Sequence, residues 1–283
     1  MTLIEAIREF FQKKAEVSIQ DLYAHLPDRL PHSIRAQVYK NLGKHFTRIG
    51  KGLYAAVQGD AACIVMQGDA WEVIKEIPSS SIDAMVTDPS YPWMQELLDI
   101  HTTTRRRMRW TFERKDIDRE LGLEIHRVLK TGAHAFFFVP AETATTRPHI
   151  EAFIKLLEGC GFTFNKRFIW DRLRLGMGYN GRCRYEGILF MSKGIRRMPC
   201  DLAVPDVLAF KALHPSKRMH PCEKPQGLLE KLISFATRTG ETIMDCFAGS
   251  LVAGRAALAL SRNALLVEKD EQVLVRSLGE VVG

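Results

Sequence analysis

The stretch Ala84-Met85-Val86-Thr87-Asp88-Pro89-Ser90-Tyr91-Pro92-Trp93 decides the fold. It opens as an apolar run, and Ile82 to Val86 read as a buried strand. Two prolines then forbid any continuation of strand or helix. A carboxylate, an exposed backbone carbonyl and an aromatic face therefore collect just past a strand's C-terminal end. In open α/β sheets that edge is where ligands bind. Alone, the segment reads equally well as a strand followed by a Pro-rich turn.

Upstream, Cys63 to Met66 is a short strand ended by Gly68-Asp69, and Ala70 to Ile77 is a helix with Trp71, Ile74 and Ile77 inward. Downstream, a helix from Ile117 to Leu129 stops at Gly132 and precedes an apolar strand, Ala133 to Val139. A helix from Pro148 to Cys160 and a strand from Phe162 to Trp170 follow. Asp171 to Arg184 is a basic Gly-rich loop, Glu186 to Ser192 a strand, and Leu202 to Leu213 a connection. The last third reads as helix Gln226–Ala236, strand Thr242–Asp245, helix Val252–Leu260 and strand Ala264–Val267, with Glu268 at its end. Strands alternating with helices in this way predict an α/β domain, a mostly parallel sheet with helices on both faces.

Residues 1–58 read as a separate module ahead of this domain at 59–283. Three short helical patterns precede two strands around Gly50-Lys51-Gly52, which are the parts of a winged helix. Arg35, Lys40, Lys44, His45, Arg48 and Lys51 crowd the last helix and the wing. That face suits contact with a nucleic-acid backbone, or it is the solvated face of a protein-interaction wing.

The chain has 283 residues, 46% hydrophobic and 26% charged, enough for a full core in one large domain plus a small one. Its net charge of +7 is compatible with a polyanionic partner without requiring one. Six scattered cysteines without a C-x-x-C pair argue against a metal site or a disulfide framework and suit a reducing, cytoplasmic compartment. No run of about 18 apolar residues and no signal-peptide pattern appears, so no membrane association is expected. From Arg105 to Lys115 six basic residues and one acid interleave with Trp110 and Phe112. The pattern suits a phosphate backbone with unstacked bases, or a solvated loop.

A second chemical block is Asp245-Cys246-Phe247-Ala248-Gly249-Ser250, a strand–turn–helix with small residues at the turn. Glu268 ends the next strand about 20 residues on, where an acid takes ribose hydroxyls in nucleotide-binding folds. The dinucleotide pattern G-x-G-x-x-G is missing, so the block fits an adenosine ligand without a pyrophosphate.

Asp-Pro-Ser-Tyr, His220-Pro221-Cys222-Glu223-Lys224-Pro225 and the Asp245 block occur in that order. Together they resemble the DNA methyltransferases that modify exocyclic amines, in the permuted arrangement that places the catalytic block before the cofactor block. The resemblance runs from about Cys63 to Asp270 and takes in Gly68-Asp69, Tyr179, Arg182 and Glu186. It implies a Rossmann-like, seven-stranded sheet whose last strand is antiparallel, and S-adenosyl-L-methionine as cofactor. By the same resemblance Asp88, Pro89 and Tyr91 are the catalytic positions. The Asp88 carboxylate and Pro89 carbonyl would bond the amine hydrogens of a flipped base, and Tyr91 and Trp93 would stack on it. Asp69, Asp88, Lys224, Asp245, Phe247, Gly249, Ser250 and Glu268 are the expected cofactor contacts, Lys224 near the methionine carboxylate and Asp69 at the adenine end. Asp69 reads equally as the cap of the following helix, and His220 as structural. Arg105, Arg107, Arg109, Tyr179 and Arg182 join Tyr91 and Trp93 as expected substrate contacts.

Two positions depart from the family pattern. Ser90 replaces a second proline and loosens the catalytic turn, and Leu251 replaces a glycine and crowds the cofactor or alters its turn. The resemblance implies a site-specific DNA methyltransferase acting on adenine N6. Cytosine N4, an RNA or single-stranded DNA substrate, and a DNA-binding regulator with a decayed methyltransferase fold are the alternatives. The expected partner is double-stranded DNA, with a second copy of the chain and a restriction-system protein as further candidates. A bacterial or phage cytoplasm is the expected setting.

Overall fold

The structure is a computed structural model describing residues 47–50, 53–58, 60–91, 115–176, 181–214, 218, 220 and 222–279. The described residues form one mixed sheet. Its strands are β1 (Thr47–Gly50), β2 (Leu53–Gln58), β3 (Ala61–Gln67), β4 (Ile82–Thr87), β5 (Leu129–Val139), β6 (Phe162–Asp171), β7 (Tyr185–Lys193), β8 (Val207–Ala209), β9 (Thr242–Asp245) and β10 (Asn263–Glu268). The spatial order is β1-β2-β3-β10-β9-β4-β5-β7-β6-β8. From β3 across to β5 the neighbours run parallel, and β7 is antiparallel to both β5 and β6. The seven central strands thus have the expected Rossmann-like form, with one antiparallel strand inserted between the last two parallel ones.

Side chains alternate between two cores because successive strand residues face opposite sides. Ala62, Ile64 and Met66 of β3 join Met85 of β4 on one face. Helices α1 (Ala70–Val73), α2 (Arg119–Val128) and α3 (Arg147–Gly159) cover that face through Trp71, Leu121, Ile125 and Ile150. Cys63 and Val65, with Ala84 and Val86, point to the other face. There α4 (Gln226–Ala236), α5 (Val252–Ala259) and α6 (Glu271–Gly279) pack through Leu228, Leu232, Ala253, Ala257 and Leu274. Phe136, Phe168, Phe190 and Phe235 cluster in this second core, Phe136 stacked on Phe190 and the other cited pairs edge-on.

Four features differ from the sequence expectations. The helix after Asp69 is one α turn that tightens into a 3-10 turn at Ile74–Glu76, because Ile77 N–H closes onto Ile74. Gly132 does not stop a helix, since α2 runs directly into β5. Its φ of 77° lies where the β4–β5 register shifts, and the Arg197 N–H donates to its carbonyl at 3.0 Å. A side chain there would meet the Ile195 carbonyl at 3.2 Å, so the close approach needs glycine. The connection 202–213 contains β8, and α6 has no counterpart among the sequence expectations.

The two strands expected around Gly-Lys-Gly are present as the antiparallel pair β1 and β2, and β2 pairs antiparallel with β3 from Leu53↔Met66 to Gln58↔Ala61. The sheet of the larger domain therefore continues across residue 58 into the hairpin. The helices expected before this hairpin lie outside the described residues, as do Trp93, Arg105, Arg107, Arg109 and Tyr179.

Candidate active site

The sheet's topology brings the ends of β3, β4, β5, β6, β9 and β10, and the start of antiparallel β7, to one edge. They surround an open cleft of about 1040 Å³. Asp69, Asp88, Pro89, Tyr91, Arg182, Lys224, Asp245, Phe247, Gly249, Ser250 and Glu268 all line it. These residues lie up to 199 positions apart in the sequence, and the fold gathers every expected site residue that falls among the described ones.

The end of β9 forms one half. Asp245 is buried, and its Oδ1 accepts from the Thr87 hydroxyl at 2.6 Å and from Phe247 N–H at 3.0 Å. Burial pushes its carboxyl up to about 7, with Asp88 and Glu268 adding to the rise and the two donors opposing it. Glu268 Oε2 accepts from Gly249 N–H at 2.7 Å, and Oε1 accepts from Asp270 N–H at 2.8 Å. Burial raises its carboxyl too, against the pull of those N–H groups. Leu251 is fully buried and held at φ 59°, ψ 18°, in the left-handed region that favours glycine. The Leu251 side chain packs in the second core, so it adds packing at the cost of backbone strain.

Asp69 caps α1, accepting from Trp71 N–H at 3.0 Å, and pairs with Lys269 at 3.0 Å. Burial works against its ionisation, but the Lys269 ammonium and the Trp71 N–H hold its carboxyl below the ordinary value. The helix-cap reading is thus fulfilled by a residue that also faces the cleft. Beside it, Trp71 meets Phe247 edge-on at 6.1 Å, and Lys115 lies over the Trp71 ring at 3.8 Å.

The other half is the Asp88 turn. Pro89 is buried, and the Ser90 hydroxyl donates to the Lys115 carbonyl at 3.3 Å. The Tyr91 hydroxyl donates to the Phe138 carbonyl at 2.6 Å, and its ring meets Phe153 edge-on at 6.0 Å. Burial pushes the Tyr91 hydroxyl well above the ordinary tyrosine value, so it stays protonated. Lys224 is 7% exposed and its ammonium bonds Asp88 Oδ2. The same ammonium lies 3.5 Å from Glu186 and donates to the Cys222 carbonyl at 3.3 Å, above the Phe138 ring at 5.0 Å. Burial alone would lower its pKa, but Asp88 and Glu186 more than offset that. His220 lies beneath Gly249, and burial with nearby Lys224 pushes its imidazole down to about 4, which leaves it neutral.

Several cleft arginines were not singled out individually in the sequence, although Arg172 and Arg174 fall in the basic loop 171–184. Arg172 pairs with Glu186 at 3.5 Å, and Arg174 and Arg218 line the same wall as Arg182. Arg182 itself donates to the Gly176 carbonyl at 2.9 Å. Thr87 was legible only as a polar residue ending an apolar strand. Among the described residues no cluster of side chains could hold a metal ion, and no helix is long and apolar enough to cross a membrane.

The cleft's carboxylates, aromatic faces and small-residue turn fit an adenosine-bearing cation. Comparison with known proteins agrees in family and fold. A family model described as DNA methylase, of the N6/N4 type, matches residues 82–276. The DNA adenine methyltransferase YhdJ of Escherichia coli K12 is 24% identical over 266 residues, covering 78% of this chain and 83% of the relative. The Type II methyltransferase M.BglII of Bacillus subtilis is 22% identical, covering 90% and 72%. Among solved structures, the cytosine-N4-specific PvuII DNA methyltransferase superposes with TM-score 0.57 at 16% identity, covering 76% of this chain and 84% of that one. A complex of M1.HpyAVI with S-adenosylmethionine superposes with TM-score 0.53 at 20% identity, covering 76% and 98%. The chain belongs to the N6/N4 DNA methylase family.

Proposed function

We propose that this chain transfers a methyl group from S-adenosyl-L-methionine to the N6 amine of adenine in double-stranded DNA. The observation that carries the reading is that the Asp88 turn and the Asp245–Glu268 residues line one cleft. Asp245, Phe247, Gly249 and Glu268 would hold the adenosine part of the cofactor, and Asp69 its adenine end. When bound, the cofactor would supply a methyl on a positively charged sulfur, which the amine would take while the C–S pair stayed on sulfur and one amine proton passed to water.

The protein's own contribution is positioning and charge. An exocyclic amine is a poor nucleophile because its lone pair is conjugated with the ring. Acceptance of its hydrogens by Asp88 and the Pro89 carbonyl keeps the nitrogen nearer sp³ and stabilises the positive charge that develops. The target base must leave the duplex to reach this turn, and Tyr91 supplies an aromatic wall there. Arg172, Arg174, Arg182 and Arg218 give the cleft wall a cationic character suited to the phosphates beside a flipped nucleotide. Asp rather than Ser at the head of the Asp-Pro-Ser-Tyr block favours adenine over cytosine.

Expression in a methylation-free host, followed by long-read modification mapping, tests this reading. It predicts N6-methyladenine at a short recurrent sequence. Methylated cytosine N4 alone, or no modified base from a chain that binds the cofactor, would sink it.

A further inference from the structure

Asp88, Lys224, Glu186 and Arg172 form a row of alternating charge across the cleft floor. Lys224 bonds Asp88 Oδ2, lies 3.5 Å from Glu186, and Glu186 lies 3.5 Å from Arg172. The four come from the end of β4, the loop before α4, the start of β7 and the end of β6. Lys224 is the buried member, with its ammonium above the Phe138 and Trp170 rings at 5.0 and 5.9 Å. A buried ammonium needs its charge and its donors satisfied, and two carboxylates and a carbonyl do this. A family-based reading places Lys224 on the cofactor's carboxylate. Here the ammonium bonds Asp88 and the Cys222 carbonyl and is ion-paired with Glu186 at 3.5 Å.

We infer that Lys224 and Glu186 are positioning residues for methyl transfer: Glu186 anchors the Lys224 ammonium, and Lys224 fixes the Asp88 carboxylate by one oxygen and leaves the other for the target amine. This rests on the reading of the Asp88 turn as the amine-binding site. A contact to one oxygen restrains rotation of the carboxylate, and a misplacement of about 1 Å in such a group costs about 100-fold in rate. Arg172 in turn neutralises Glu186, so that the row ends on a cation at the rim.

The test uses the full chain with Glu186→Gln, Lys224→Met, Lys224→Arg and the Glu186→Gln/Lys224→Met pair. Glu186→Gln should lower kcat about 10-fold and Lys224→Met about 100-fold, with cofactor Kd within about twofold of wild type. Lys224→Arg should recover part of the loss. The double variant should be no slower than Lys224→Met, since the two act through one carboxylate. A second readout is independent of turnover. The ¹⁵N spectrum of the lysine ammonium groups should show a protected Lys224 signal that disappears in Glu186→Gln and in Asp88→Ala. Additive losses in the double variant would overturn the inference. So would a tenfold weaker cofactor Kd in Lys224→Met with kcat intact, which would return Lys224 to the cofactor. An inactive wild type on every nucleic acid would sink the proposed function instead, and the ammonium signal would still decide whether the row holds Asp88.

Discussion

The Thr87 hydroxyl donates to Asp245 Oδ1 at 2.6 Å, and both residues are buried. The bond joins the last residues of β4 and β9, so the strand that delivers Asp88 and the strand that opens the cofactor turn are fixed to each other. Thr87→Val keeps the shape and removes the donor. It should cost about 1–3 kcal/mol in urea denaturation, because Asp245 keeps its burial and loses a partner. The loss should be larger at pH 8 than at pH 5, since the bond supports the ionised carboxylate. An equal loss at both would contradict this role.

Asp245 gives a pH prediction with a definite sign. Its folded pKa of about 7 lies above the ordinary aspartate value, so the folded chain holds a proton that the unfolded chain has lost. Its contribution to stability is fully present below the unfolded value of about 4 and is lost as pH rises through about 7. A cationic cofactor beside it should draw that proton off. Calorimetry near pH 6.5 in buffers of different ionisation enthalpy should show proton release on S-adenosylmethionine binding. Asp245→Asn should abolish the release, and release unchanged in that variant would place the titrating group elsewhere.

His220 acts in the opposite direction. Its folded pKa of about 4 lies below the ordinary histidine value, so its contribution is present above the unfolded value of about 6.5 and is lost as pH falls through about 4. Lys224, Asp270 and the Gly249 turn lie around this position, so the measurement is the difference between wild type and His220→Asn. Melting temperatures between pH 7 and 4 should fall less steeply in the variant.

Leu251 sets strain against packing. Leu251→Gly would relieve about 1 kcal/mol of left-handed strain and delete a fully buried side chain worth about 2–5 kcal/mol. Burial should win, and the variant should unfold about 1–4 kcal/mol more easily, read from urea melts. A more stable variant would show that the turn carries far more strain than its dihedrals suggest.

Much of the fold was legible. Helix α4 and strand β9 occupy the residues expected from periodicity and turn chemistry. Local pattern sufficed there because each is a short apolar run between clear breakers. Gly132 misled because a glycine after a helical pattern reads as a stop, whereas this one serves a backbone approach from residues 195–197, far along the chain. The convergence of Asp88, Asp245 and Glu268 was legible from three sequence blocks. The Lys224–Asp88 and Thr87–Asp245 contacts were not, because they join residues 136 and 158 positions apart and depend on how distant elements pack together.

The most direct measurement digests DNA incubated with the purified chain and methyl-labelled S-adenosylmethionine, and identifies labelled nucleosides by mass spectrometry. The account predicts labelled N6-methyladenine from wild type and none from Asp88→Ala, with cofactor Kd in that variant within about tenfold of wild type. Label only on cytosine N4, or label from Asp88→Ala equal to wild type, would contradict it.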